Sequence, residues 1–135
     1  MTTIEAVDAW EVLDSRGNPT VRTRVRTANG AGTFTVPAGA STGSHEAVER
    51  RDGGDRFGGL GVSEAVEAVN ETLEAIVVDR EVTEQAAIDE ALVEADGTEN
   101  LANLGANAVL SVSGAVARAA ASTRNEPLYR YLAPG

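Results

Sequence analysis

Over the first third of the chain, apolar and β-branched residues recur at about every second position. Thr3 to Leu13 alternates weakly through Ile4, Ala6, Asp8 and Trp10, and Thr20 to Thr27 (TVRTRVRT) interleaves β-branched residues with arginine, the pattern of a half-exposed strand. Asn29-Gly30 is a hairpin signal, and GTFTVP then predicts a third strand ended by Pro37. The first two strands are joined by Asp14-Ser15-Arg16-Gly17-Asn18-Pro19, which is dense in turn formers. After residue 60 the period becomes helical. Val62, Ala65, Val66, Val69, Leu73, Ile76 and Val77 share one face, with Ser63 as the expected N-cap. A second helix is expected from Thr83 to about Glu94, with Ile88, Ala91, Leu92 and Ala95 inward and a break at Asp96-Gly97-Thr98. A third runs from Leu104 to about Thr123, rich in alanine, serine and valine, and a helical turn follows from Pro127, placed for a first-turn position. The pattern predicts an α+β fold: a three-stranded antiparallel meander followed by a helical bundle packed on it.

Composition narrows the class more than the function. A chain of 135 residues with 42% hydrophobic and 24% charged content has the make-up of one ordinary globular domain, and neither linker nor repeat divides it. It contains no cysteine, which excludes disulfides and thiolate metal sites. No N-terminal apolar region and no long apolar run appears, so the expectation is a soluble, cytoplasmic protein. Its 21 acidic residues face 11 cations, all arginine, for a net charge of −10. That balance repels nucleic acid and anionic membranes and predicts neither as a partner. A high-salt cytoplasm accounts for both the acidity and the missing lysine; a GC-rich genome accounts for the arginine alone.

The most unusual stretch is VPAGASTGSHEA, Val36 to Ala47. Gly39-Ala40-Ser41-Thr42-Gly43 is uniformly small, and the only histidine, His45, follows at once. Taken by itself this is a plain solvent loop or a loop that closes on something small. It is not a phosphate loop, because no lysine follows the second glycine, and Gly58-Gly59-Leu60-Gly61 lacks the spacing of a dinucleotide fingerprint. A Ser41–His45 hydrolase pair has no rigid orienting shell. Asn70-Glu71-Thr72 matches a glycosylation acceptor, but mid-helix and without a leader it reads as a chance match.

Four stretches in register are more specific: LDSRGNPTV (Leu13 to Val21), GASTGSHEA (Gly39 to Ala47), DGTENLANLGANAVLSVS (Asp96 to Ser113) and PLYRYL from Pro127. In order and spacing they resemble the N-terminal domain of the enolase family, and the resemblance covers essentially the whole chain, 1–135. The resemblance implies reversible dehydration of 2-phosphoglycerate to phosphoenolpyruvate, in glycolysis and gluconeogenesis, with two magnesium ions. It implies that base, acid and the first metal site lie in a C-terminal catalytic barrel absent from this chain, consistent with the lack of any lysine here. The chain ends at Ala133-Pro134-Gly135, near where a linker to that barrel is expected, and the domain alone is expected to be inactive. By the same resemblance this domain supplies the substrate lid, formed by Gly39, Ala40, Ser41, Thr42, Gly43 and His45. Ser41 gives its carbonyl and hydroxyl oxygens to the second magnesium once substrate is bound. His45 is read as a neighbour of the site, not a catalyst, and Arg16 as a brace of the Asp14-to-Pro19 turn near the site.

Three departures from the family pattern stand out. Ala38 replaces a serine beside the lid. Trp10 stands where arginine is common, and Arg22 where glutamate is common. In the family each of those charges pairs with an opposite charge across the homodimer contact, so the loss of one and the reversal of the other put that dimer in question. An alternative reading of the chain is therefore a non-catalytic, enolase-derived binding or interaction module, with Trp10 on a partner surface.

Overall fold

The computed structural model describes residues 2–37, 49–98, 101 and 103–132. Three strands come first: β1 (Ile4–Leu13), β2 (Pro19–Thr27) and β3 (Gly30–Thr35). They form one antiparallel sheet in the order β1-β2-β3, as the meander reading predicts. β2 and β3 are joined by a hairpin, as expected, but its two-residue loop is Ala28-Asn29, one position before the Asn29-Gly30 signal, and Gly30 pairs with Thr27 as the first residue of β3. In β1 the inward set is Ile4, Val7 and Ala9, not the run through Ala6, Asp8 and Trp10. A register shift between Ile4 and Ala6 inserts one residue, and this reverses the faces of everything after it. β2 has no such fault: Val21, Thr23, Val25 and Thr27 point inward, while Arg22, Arg24 and Arg26 line the outer face.

The helices cover the inner face. α1 (Ser63–Ala68) runs through a single π-helical stretch, Val69–Leu73, into α2 (Glu74–Val77). α3 (Gln85–Asp96), α4 (Ala106–Thr123) and the short α5 (Leu128–Tyr131) complete the bundle. Val62, Ala65, Val69, Leu73 and Val77 are fully buried, as the helical spacing requires, and Ile88 and Leu92 of α3 meet them in the same core. α4 is central. Ten of its residues are buried, and its alanines and Gly114 let it approach the sheet at backbone distance. A Cβ at Gly32 of β3 would lie 2.1 Å from the Ala119 nitrogen, and one at Gly114 would lie 2.5 Å from the Phe34 ring. Two hydroxyl pairs also join β2 to α4: Thr23 donates to Ser111 at 2.8 Å, and Thr27 lies 2.9 Å from Thr123.

Two helix starts differ from expectation. Ser63 is the first residue of α1 and does not cap it. The cap is the carboxylate of Asp52, which accepts from the Ser63 and Glu64 amides at 3.0 and 2.9 Å and from the Ser63 hydroxyl at 2.7 Å. Pro127 precedes α5 in an extended conformation, and its carbonyl accepts the first bonds of the turn. Among the described residues no helix is long and apolar enough to cross a membrane.

Candidate functional site: the base of the Gly39–Gly43 loop

Gly39, Ala40, Ser41, Thr42, Gly43 and His45 lie outside the described residues, as does Ala38. The structure shows what holds the two ends of the segment that carries them. On the incoming side Val36 is buried. Its amide donates to the Val21 carbonyl at 3.0 Å, and its carbonyl accepts from the Thr20 hydroxyl at 2.8 Å. On the outgoing side the Asn107 side chain, buried in the first turn of α4, pairs with the backbone of Arg50. Its Oδ1 accepts from the Arg50 amide at 2.8 Å and its Nδ2 donates to the Arg50 carbonyl at 3.0 Å. An asparagine amide presents a donor and an acceptor side by side, so it can satisfy one residue's peptide groups as a neighbouring strand would. Asn70, in the π-helical stretch, does the same for Ala9 of β1, at 2.9 and 3.0 Å. This use of its amide gives Asn70 a structural role and agrees with the chance reading of its glycosylation match.

Arg51 ties the outgoing stem to the rest of the site. Its Nη1 donates to the carbonyls of Pro19 and Leu60 at 2.6 and 2.7 Å, and its Nη2 meets Glu49 at 3.1 Å. Pro19 ends the Asp14–Pro19 turn, so both stems converge on that turn through consecutive residues: Thr20 binds the first and Pro19 the second. The turn is organised by Asp14. Its Oδ1 accepts from the amides of Arg16 and Asn18 at 2.8 and 3.0 Å, and Gly17 adopts a φ of 81° that favours glycine. The Asn18 amide, ahead of the opposing effect of burial, and then the Arg16 amide hold the Asp14 carboxyl below its ordinary value. Its Oδ2 is buried and without a hydrogen-bond partner among the described residues. Arg16 takes part in the turn through its amide, while its exposed guanidinium makes no ion pair among the described residues.

A second cluster of polar contacts, at the end of α3, lies beside the outgoing stem. Asp96, 2% exposed at the end of α3, accepts from the Leu104 amide at 2.6 Å, from the Thr98 amide at 3.1 Å and from the Thr98 hydroxyl. Burial acts to raise its pKa, but these donors together outweigh burial and leave it lowered. Gly97 follows with a left-handed φ of 76°, as a helix-ending glycine does. The Arg50 guanidinium reaches across to the Asn103 carbonyl, linking this cluster to the stem.

A third link fixes the segment between the stem and α1. Arg56 forms a two-point pair with Glu11 of β1, and Glu11 also accepts from the Val62 amide at 2.8 Å. Its hydrogen bonds to Arg56, against a burial effect in the other direction, lower the Glu11 pKa. Trp10 and Arg22, both singled out in the sequence, are direct cross-strand partners on the outer face. The Arg22 guanidinium stands over the Trp10 ring at 5.9 Å from its centre, and Trp10 is 39% exposed.

Among the described residues no three His, Cys, Asp or Glu side chains converge as a cation site.

These positions coincide with a known pattern. The model of the family described as "Enolase, N-terminal domain" matches residues 4–132. The chain belongs to the enolase family. It is 55% identical over 129 residues to an enolase of Methanothrix thermoacetophila, covering 96% of this chain and 31% of that one. It is 54% identical over 133 residues to an enolase of Acidothermus cellulolyticus, covering 98% and 31%. It is 56% identical over 129 residues to an enolase of Thermococcus gammatolerans, covering 96% and 30%. The chain thus spans slightly under a third of the length of these enolases and corresponds to their N-terminal domain. The meander-then-helices architecture is the one expected for that domain. Of the residues that anchor the stems, Thr20 and Asn107 fall within the stretches that carry the resemblance, although nothing in the sequence marks their partners, and Arg51 carried no sequence signal.

Proposed function

We propose that this domain is the lid of an enolase that interconverts 2-phosphoglycerate and phosphoenolpyruvate, with the base and acid in a catalytic barrel outside residues 1–135. The observation that supports this reading is that both stems of the segment are held by hydrogen bonds: Thr20 and Val21 of β2 hold Val36, and Asn107 of α4 holds Arg50. Anchored stems keep the segment that carries Ser41 beside the Asp14–Pro19 turn, and in this reading its two oxygens are the groups that meet a bound phosphate ester and its magnesium. The small side chains of Gly39, Ala40 and Thr42 allow close approach to substrate, and closure excludes water from the reacting centre. Magnesium, when bound, would supply Lewis-acid stabilisation of the charge that develops on the substrate carboxylate. Gly43 and His45 complete the lid without taking part in proton transfer. In the enolase containing this domain, Ser41→Ala is expected to lower kcat and weaken the second magnesium while leaving unfolding unchanged. An unchanged kcat across a magnesium titration would reject the reading. The 135-residue chain alone is expected to produce no phosphoenolpyruvate.

A second reading, a non-catalytic interaction module, is favoured by one observation: Trp10 stands exposed on the outer sheet face with Arg22 stacked on it. It predicts that Trp10→Ala abolishes association with a partner, which for the lid reading need not happen. Both readings place the protein in the cytoplasm, and a homodimer through the outer face would need a partner surface complementary to Arg22.

A further inference from the structure

β3 is the edge of the sheet among the described residues. Val36 donates to Val21, and pairing alternates from there, so residues 30, 32 and 34 exchange bonds with β2 while 31, 33 and 35 direct theirs outward. The Ala31 amide makes a long contact, 3.4 Å, with the Ser122 hydroxyl. Alongside this edge lies an open cavity of about 480 Å³ between β3 and the end of α4, lined by Arg22, Thr33, Arg118, Ser122, Glu126 and Leu128 among others. Two guanidiniums against one carboxylate make it locally positive in a chain of net charge −10. Each arginine is laid over an aromatic ring, Arg22 over Trp10 at 5.9 Å and Arg118 over Phe34 at 5.6 Å. Neither makes an ion pair or side-chain hydrogen bond among the described residues. A ring that holds the face of a guanidinium leaves its N–H edge available for a carboxylate.

We propose that this groove binds an extended acidic polypeptide segment of a partner protein, which adds as a strand to the outer edge of β3 and places its carboxylates on Arg22 and Arg118. An unpaired strand edge offers backbone hydrogen bonds, and the flanking arginines select the side chains. A free edge also distinguishes a polypeptide from a small anion, which would use the arginines and ignore the strand.

The single tryptophan reports on the site, because Trp10 carries Arg22. An eight-residue peptide of the repeat Glu-Glu-Val-Val, blocked at both ends and so carrying carboxylates on both faces of an added strand, is titrated into the 135-residue chain with Trp10 emission as the readout and amide exchange followed at Thr33 and Thr35. The expected result is a saturable emission change with slowed exchange at both amides. Arg22→Gln and Arg118→Gln should each weaken binding about tenfold, the loss of one charge-assisted contact. Thr33→Pro removes an outward amide without touching the β2 ladder, so it should abolish peptide binding while leaving the circular dichroism spectrum unchanged. Inorganic phosphate is the comparison probe. If phosphate matches the peptide, or if exchange at Thr33 does not slow, the site holds small anions only and the proposal is overturned. Absence of saturable binding, or equal binding of a Lys/Val peptide, overturns it as well.

Discussion

Replacing Gly32 by alanine tests how α4 and β3 are joined. A Cβ at residue 32 would lie 2.1 Å from the Ala119 nitrogen, 2.5 Å from the Arg118 carbonyl carbon and 2.6 Å from the Ala115 oxygen. All three are helix backbone, so no side chain can swing aside. Restoring an ordinary contact of roughly 3.4 Å means separating strand and helix by about 1.3 Å along that line. α4 carries ten buried residues, so such a shift loosens much of the core at once. Overpacking a core costs typically 1–3 kcal/mol, and with a rigid obstacle the upper end applies, about 3 kcal/mol. For a domain of this size that is roughly a 12 °C fall in Tm. Thermal unfolding followed by circular dichroism measures it. Gly17→Ala is the control: its φ is 81° but no atom lies within 4 Å, so only backbone strain of about 1 kcal/mol is expected. Gly114→Ala presses on the Phe34 ring from the other side of the same interface, so once Gly32→Ala has parted the layers, adding it should cost little. A Tm drop under about 4 °C for Gly32→Ala would refute the close-packing argument.

Other expectations follow from the same contacts. Asn107→Ala leaves the Arg50 peptide groups unpaired and should destabilise by about 1–3 kcal/mol, with exchange of the Arg50 amide rising well beyond the global change. The lowered pKa of Asp96 contributes stability above its ordinary value of 3.8, which is lost as pH falls through the folded-state value. Asp96→Asn should therefore unfold more easily at neutral pH and show a shallower acid limb in a pH series of denaturation midpoints. Leu92→Ala, at a fully buried site, should cost about 2–5 kcal/mol, whereas Leu110→Ala, at a residue 46% exposed, should stay within about 0.5 kcal/mol by urea denaturation.

Periodicity made most of this fold legible, because burial of one face is a local property of a strand or helix. The buried set Val62, Ala65, Val69, Leu73 and Val77 follows directly from spacing. The π-helical stretch within that set does not, since i and i+4 apolar positions remain on one face when a single turn widens. The phase of β1 was also hidden, because a register shift at Glu5 depends on what β2 presents opposite it. At the candidate site the motif residues were legible as a resemblance, but their supports were not. Asp52 caps a helix eleven residues downstream, and Asn107 serves Arg50 across 57 positions. Such bonds depend on the folded arrangement and leave no trace in neighbouring residues. Trp10 and Arg22 stood out together as departures from the family pattern, but that they face each other across β1 and β2 became visible only with the pairing.

The dependence of β3 on α4 has a consequence for synthesis. Phe34 needs Gly114, and Gly32 needs Ala119, so the β3 side of the sheet's inner face has no cover until about 80 further residues have been made. At about 5–20 residues per second, the ribosome leaves that apolar sheet waiting on the order of 4–16 s. During that interval the three arginines on the other face of β2, all of one sign, oppose association between nascent meanders.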